Sequence, residues 1–246
     1  MSTLSTEQRK TLAGIRKFCA EADWATVLQG LELLIALDDP VLWGIMTSGL
    51  RLDQWGTIQI AENSEVARRA KTSNRLRMAL YCIAYGSDTK GIKLLNLSHK
   101  NTLEELNPLP RFVHLKSLTM DYCDGISDLT PLASLVHLET LSIAGCNAIS
   151  DLSPLAKLAK LKQLDIRRSY KIQDLGPLRH LVQLESLDMS GCKIITNLEP
   201  LSNLKKLKVL DIENTGATDL RPLSKLPQLE ELKISGSYRA AGIWPV

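Results

Sequence analysis

From Ile92 onward the apolar residues fall into one figure, L-x-x-L-x-L, that returns every 22 or 23 residues. Its first slot holds Ile92, Leu115, Leu138, Leu161, Leu184, Leu207 and Leu229. The fourth holds Leu95, Leu118, Leu141, Leu164, Leu187, Leu210 and Leu232, and the sixth Leu97, Met120, Ile143, Ile166, Met189, Ile212 and Ile234. Proline marks the same period independently, at Pro108, Pro131, Pro154, Pro177, Pro200, Pro222 and Pro245. A period of this length means a stack of one small unit that cannot bury its apolar face alone. Alternation around the fourth and sixth slots predicts a short strand whose leucines point inward and whose neighbours point out of a parallel sheet. Asp128, Asp151, Asp174 and Asp219, with Asn197, precede L-x-P-L, where an acid can cap a turn and proline pre-sets φ. So few residues remain for the return path that 3-10 or extended turns are expected there. Strands ~4.8 Å apart make seven coils a rod roughly 30–35 Å long.

These residues resemble a leucine-rich repeat array. The unit L-x-x-L-x-L-x-x-C-x-x-I-x-D-L-x-P-L-x-x-L is similar to the short class found in bacterial internalins. The resemblance covers residues 91–246 and implies an α/β solenoid with a parallel concave β-sheet and short 3-10 or extended convex turns. It also implies protein–protein recognition through the concave sheet. Two features depart from the internalin pattern: five of the six steps are 23 residues, and the ninth slot lacks asparagine. That slot holds Lys100, Cys123, Cys146, Ser169, Cys192, Thr215 and Ser237. A small Cys, Ser or Thr there can sit beside its equivalents in the stack.

Residues 1–90 carry apolar positions at helical spacing over roughly 6–22, 24–37, 40–50, 58–70 and 73–85. A solenoid exposes apolar surface at its first coil, so this segment is expected to be an α-helical N-terminal cap. The division is then 1–90 for the cap and 91–246 for seven repeats. The seventh stops at Val246 without a polar cap, and a weak homodimer through Lys233–Val246 is one expectation for that end.

Composition narrows the function. Aromatics make up 4% of the chain and the formal net charge is +3, which argues against attachment to nucleic acid or a membrane by bulk charge. The longest apolar stretch is broken by Asp38, Asp39 and Pro40 and is too short to span a bilayer. The five cysteines contain no C-x-x-C, and the N-terminus has no charged-then-apolar signal pattern, so a cytoplasmic protein is expected, and the resemblance implies a bacterial one. Phosphate-loop, nucleophile-elbow and zinc-protease motifs are missing, and neither catalytic residues nor a cofactor, metal or small-molecule substrate are assigned. His114 and His137 share one slot in adjacent coils and read as solvated surface.

The outward residues of the sheet form columns. The second slot alternates Lys116, Glu139, Lys162, Glu185, Lys208 and Glu230, which reads as a register device. The fifth slot stacks Asp165, Asp188 and Asp211 before Lys233, and like charges so placed repel. With Arg167, Arg168, Glu213 and Tyr122, these form the candidate partner-binding face. A second candidate is the basic run Arg68, Arg69, Lys71, Arg75 and Arg77, which could dock nucleic acid or an acidic protein. The reading is a non-catalytic recognition module; the alternatives are the recognition part of a larger enzyme or toxin, and nucleic-acid binding through the basic run.

Overall fold

The structure, a computed structural model, describes residues 4–21, 24–54, 56–62, 64–69, 75–86, 89–98 and 103–236. The chain divides into two compact units, Met1–Gly91 and Ile92–Val246.

In the first unit, α1 (Thr6–Cys19) starts where Ser5 and Gln8 satisfy each other's backbone N–H groups, each at 3.0 Å. It buries Leu12, Ile15 and Cys19 along one stripe, against α2 (Trp24–Leu37) with its buried Val27, Leu31 and Leu34. The next helix, α3 (Pro40–Met46), has Pro40 in its first turn, and the Asp39 carboxylate accepts the N–H groups of Val41 and Leu42. Gln8 donates to the other Asp39 oxygen at 2.9 Å, tying the start of α1 to the start of α3.

The helix expected over residues 58–70 is not what forms. An antiparallel hairpin, β1 (Leu50–Leu52) with β2 (Ile58–Ile60), occupies its first part, and α4 (Glu65–Arg69) only its end. Ile58-Gln59-Ile60 alternates with period two, and Asp53 closes the turn by accepting from the Thr57 N–H and the Gln59 side chain. Gly49 enters the hairpin at φ 79°, where an added Cβ would lie 2.9 Å from that of Ser64. The last helix, α5 (Arg75–Gly86), buries Ala79, Leu80, Cys82, Ile83 and Ala84. Glu65 of α4 is buried and meets Arg16 of α1 in a two-pronged pair at 2.6 and 3.1 Å.

The second unit is a seven-stranded parallel sheet in chain order: β3 (Leu94–Asn96), β4 (Ser117–Thr119), β5 (Thr140–Ser142), β6 (Gln163–Asp165), β7 (Ser186–Asp188), β8 (Val209–Asp211) and β9 (Glu231–Lys233). Equivalent slots pair directly from Leu95–Leu118 to Leu210–Leu232. Short 3-10 turns run down the convex side, and five of them begin one residue before the repeat's proline, as at Thr130–Ser134 and Ser153–Lys157. Each of these five follows an Asp or Asn that accepts the N–H two residues on, at 2.7 to 3.0 Å. The ninth slot has a defined job. Cys123, Cys146, Ser169 and Cys192 each donate to the sixth-slot carbonyl of the preceding coil, at 2.9 to 3.1 Å. A thiol or a hydroxyl serves equally, which explains why the slot tolerates both. Among the described residues no helix is long and apolar enough to cross a membrane.

The Arg16–Glu65 pair yields a test. Removing Arg16 takes a two-pronged, charged donor from the buried Glu65 carboxylate, at a cost of up to about 3–5 kcal/mol. Arg16→Met should lower stability by that order in urea unfolding followed by tryptophan fluorescence, which reports mainly on Trp24, Trp43 and Trp55. Adding Glu65→Leu should recover most of the loss.

Candidate recognition surface

At the end of each strand the chain leaves the sheet, and the N–H of the seventh slot needs an acceptor. In the coils of β6, β7 and β8 the fifth-slot aspartate supplies it: Asp165 accepts from Arg167, Asp188 from Ser190 and Asp211 from Glu213, at 2.9 to 3.0 Å. Asn96 does the same for Ser98. Thr119 and Ser142 occupy the fifth slot of the next two coils, and there a neighbour stands in. Ser98 Oγ accepts the Asp121 N–H, and Asp121 accepts the Ala144 N–H and the Ser142 hydroxyl. The aspartate stack, which the sequence marks only as repulsive, is therefore built into folding. Its repulsion is real all the same. Burial, with Asp188 among the neighbouring charges, holds the Asp165 and Asp211 carboxyls above their ordinary range.

The eighth slot lies in the left-handed region in every coil from β4 to β9. Gly145, Gly191 and Gly236 adopt it freely, with φ of 67°, 78° and 69°. Tyr122, Arg168 and Asn214 adopt it with side chains, at 57°, 55° and 55°. Each of the three lies over the glycine of the next coil; a Cβ on Gly145 would sit 2.5 Å from Tyr122 Cδ1, and one on Gly191 3.2 Å from Arg168 Cγ. The seventh slot alternates in step, with Asp121, Arg167 and Glu213 separated by Ala144 and Ser190. So does the second slot, where Glu139 bonds Lys116 and Lys162 at 2.9 and 2.8 Å and Lys208 meets Glu185 at 3.2 Å. The two lysines pull the Glu139 carboxyl down to about 2. The surface thus repeats every two coils, although the core repeats every one.

The structure brings most of the sequence-derived concave set together. Arg167 bridges Asp165 at 3.3 Å and Asp188 at 3.9 Å, and Lys233 reaches Asp211 at 3.9 Å. Glu213 accepts from the Ser235 hydroxyl. Arg168 is exposed and pairs with no carboxylate among the described residues. Asp121, Ser98 and Asn214 belong to the same face and stand outside the sequence-derived set; the Gly145–Gly191–Gly236 alternation is the signal that marks the eighth slot, which Asn214 occupies. Of the basic run, Arg68 and Arg69 lie in α4 and Arg75 and Arg77 in α5, whereas Lys71 lies outside the described residues. The self-association expected through Lys233–Val246 falls largely on residues 237–246, also outside them. The His114 and His137 rings are 6.0 Å apart, and Lys160 Nζ lies 2.9 Å from His137 Nδ1. A cation at that nitrogen opposes a metal, and no group of three His, Cys, Asp or Glu placed to hold one occurs among the described residues.

Two tests follow from the fifth-slot stack. Asparagine keeps the acceptor and removes the charge, so Asp211→Asn should raise the melting temperature by a few degrees, while Asp211→Leu, which removes both, should lower it. The pH dependence has two limbs. Raised carboxyls cost stability when ionised, so Asp165 and Asp211 return stability as the pH falls through their folded values. Lowered carboxyls do the opposite: Glu139 and Asp219, each held at about 2, lose stability as the pH falls from the ordinary carboxylate range of about 4 towards 2. Thermal melts should show stability rising as the pH falls through the raised carboxyls, above the ordinary carboxylate range of about 4, and then falling. The Asp165→Asn, Asp211→Asn double variant should lose the rise and keep the fall.

Comparison with known proteins bears on the repeats. The family model described as leucine-rich repeats (two copies) matches residues 113–157, 136–180, 159–203 and 182–225. A search of curated proteins finds no match. Among solved structures, internalin C2 of Listeria monocytogenes is similar over 92% of this chain and 92% of its own, at 19% identity and a TM-score of 0.55. The Listeria monocytogenes internalin InlF is similar over 89% of this chain and 77% of its own, at 18% identity and a TM-score of 0.50. With the sheet, the 3-10 turns and the repeat matches in agreement, residues 113–225 are leucine-rich repeats, and the fold is similar to that of the internalins.

Proposed function

We propose that the chain is a protein-recognition module that engages a partner protein on the concave sheet, centred on Tyr122, Arg167 and Arg168 and on the aspartates beside them. The observation that carries this reading is the eighth slot. Three coils fill a left-handed position with glycine at little cost, and the alternate coils place Tyr122, Arg168 and Asn214 there. Asparagine tolerates that conformation, but tyrosine and arginine do so only at a cost of order 1–3 kcal/mol. Strain of this kind concentrates where side chains serve binding, and Tyr and Arg are the residue types that anchor interfaces. Both project from the same face, and the exposed Arg168 guanidinium is left to pair with a partner's carboxylate or carbonyl. The reading gives the chain no catalytic role. Five free, buried cysteines support a reducing compartment such as the cytoplasm. The helical unit fits the role of the cap that the first coil of a solenoid requires.

The test separates strain from structure. Arg168→Gly relieves the left-handed backbone, so it should leave the melting temperature unchanged or raise it. In an affinity capture from source-cell lysate, quantified by mass spectrometry, the same variant should lose the partner retained by the wild type at least tenfold. Retention of the same partner at wild-type level would overturn the concave assignment.

A further inference from the structure

The near-zero net charge of the repeats hides a strong separation. The strands are parallel and in register, so all six stretches leading into β4–β9 lie along one edge of the sheet, at the strands' N-terminal ends. These stretches, residues 110–116, 133–139, 156–162, 179–185, 202–208 and 224–230, hold ten Lys and Arg against three Glu. The rest of residues 103–236 holds six against fourteen Asp and Glu. The separation runs across the width of the solenoid, so totals taken along the chain conceal it.

Along this edge the charge follows the two-coil period. Eight of the ten cations sit in alternate stretches: Arg111 and Lys116, then Lys157, Lys160 and Lys162, then Lys205, Lys206 and Lys208. The turns between them are neutral at their tips, and two of these expose valine: Val136 and Val182 are each 47% accessible. Val113 shows similar exposure within the first cationic stretch. The second-slot lysines are held by Glu139 and Glu185. Among the described residues, three lysines of the cationic turns meet neutral groups: Lys160 meets His137, Lys205 the carbonyls of Ser202 and Lys225, and Lys206 the Gln183 side chain, whereas Lys225 in the last stretch pairs with Glu199 at 2.8 Å.

We propose that this edge is a second docking surface, separate from the concave face, and that its occupant is an α-helix of a partner protein carrying a carboxylate at every seventh residue and an aliphatic side chain midway between. The match is one of spacing and chemistry together. Two coils advance about 9.6 Å, and seven residues of helix advance about 10.5 Å. One coil, about 4.8 Å, corresponds to the three- or four-residue step that separates neighbours on a helix face. A helix lying across the coils therefore presents an acid to each cationic stretch and a methyl-bearing side chain to each valine. A bare polyanion would satisfy the lysines and gain nothing from Val136 or Val182, so a helical polypeptide is the better occupant.

The experiment uses the full chain and a fluorescent helical peptide with glutamate at every seventh position and leucine midway between. A scrambled peptide of the same composition and heparin serve as competitors. Anisotropy should show the periodic peptide binding at least tenfold more tightly than the scrambled one. Lys160→Glu with Lys206→Glu should weaken binding more than tenfold, and Val136→Ser with Val182→Ser several-fold, with melting curves unchanged. Lys160→Gln with Lys206→Gln should show a smaller loss and replaces the reversal if that variant does not fold. Arg168→Gly should bind the peptide as the wild type does, which keeps this result distinct from the concave reading. Absence of binding, equal binding of the scrambled peptide, or displacement by heparin with no effect of the valine changes would each overturn the helix assignment; the last would make the edge a polyanion site.

Discussion

Each time the chain leaves the sheet, one backbone N–H faces outward without a strand to bond it, and the outer surface of the repeats is organised around meeting that need. An acceptor must stand at the fifth slot or be lent by the coil before. Asp165, Asp188, Asp211 and Asn96 take the first route, and Ser98 and Asp121 the second. Because the acceptor is a carboxylate in three consecutive coils, negative charge accumulates on the concave face as a by-product of closing turns. Arg167 and Lys233 then offset part of it. The turn that follows forces the eighth slot left-handed, which is why glycine recurs there and why a large side chain at that slot is informative.

Periodicity of burial is the most legible feature of the sequence, because a leucine on the wrong face of any coil would expose itself in every neighbour. The proline and aspartate slots are legible for a related reason: each supplies a local backbone constraint that no tertiary context overrides. The ladder from Lys116 to Glu185 is likewise visible as an alternation of sign. What escapes a reading by residue type is the assignment of acceptors. Asp121 looks like one more surface acid, yet it replaces the aspartate that Ser142 cannot be. In the helical unit, Ile58-Gln59-Ile60 satisfies a helical and a strand pattern equally over so short a stretch. The Asp53 turn, which decides between them, is made of bonds to Thr57 and Gln59 that no periodicity reports.

The two-coil period ties the surface readings together. Lysine and glutamate alternate at the second slot, large and small residues at the seventh and eighth, and cationic and neutral turns along the entry edge. A single-coil core beneath a double-coil surface means that outward residues are spaced about 10 Å apart along the stack, with small residues between them. That spacing leaves each large side chain room to lie over its neighbour, as Tyr122 does over Gly145. The same spacing gives any elongated partner a repeated set of contacts in one register.

The buried thiols carry a consequence of another kind. Cys123, Cys146 and Cys192 donate to backbone carbonyls, and burial pushes the Cys146 thiol up to about 12 and that of Cys192 up to about 11. Thiolate chemistry at neutral pH is thereby withheld until the coil around each sulfur opens. In a stack where each coil touches only its neighbours, opening can begin at an end and travel inward. These cysteines stand in the second, third and fifth coils, and Cys19 and Cys82 in the helical unit. A thiol-specific label, read site by site over time, is thus a built-in clock for the order in which the parts of the chain come undone.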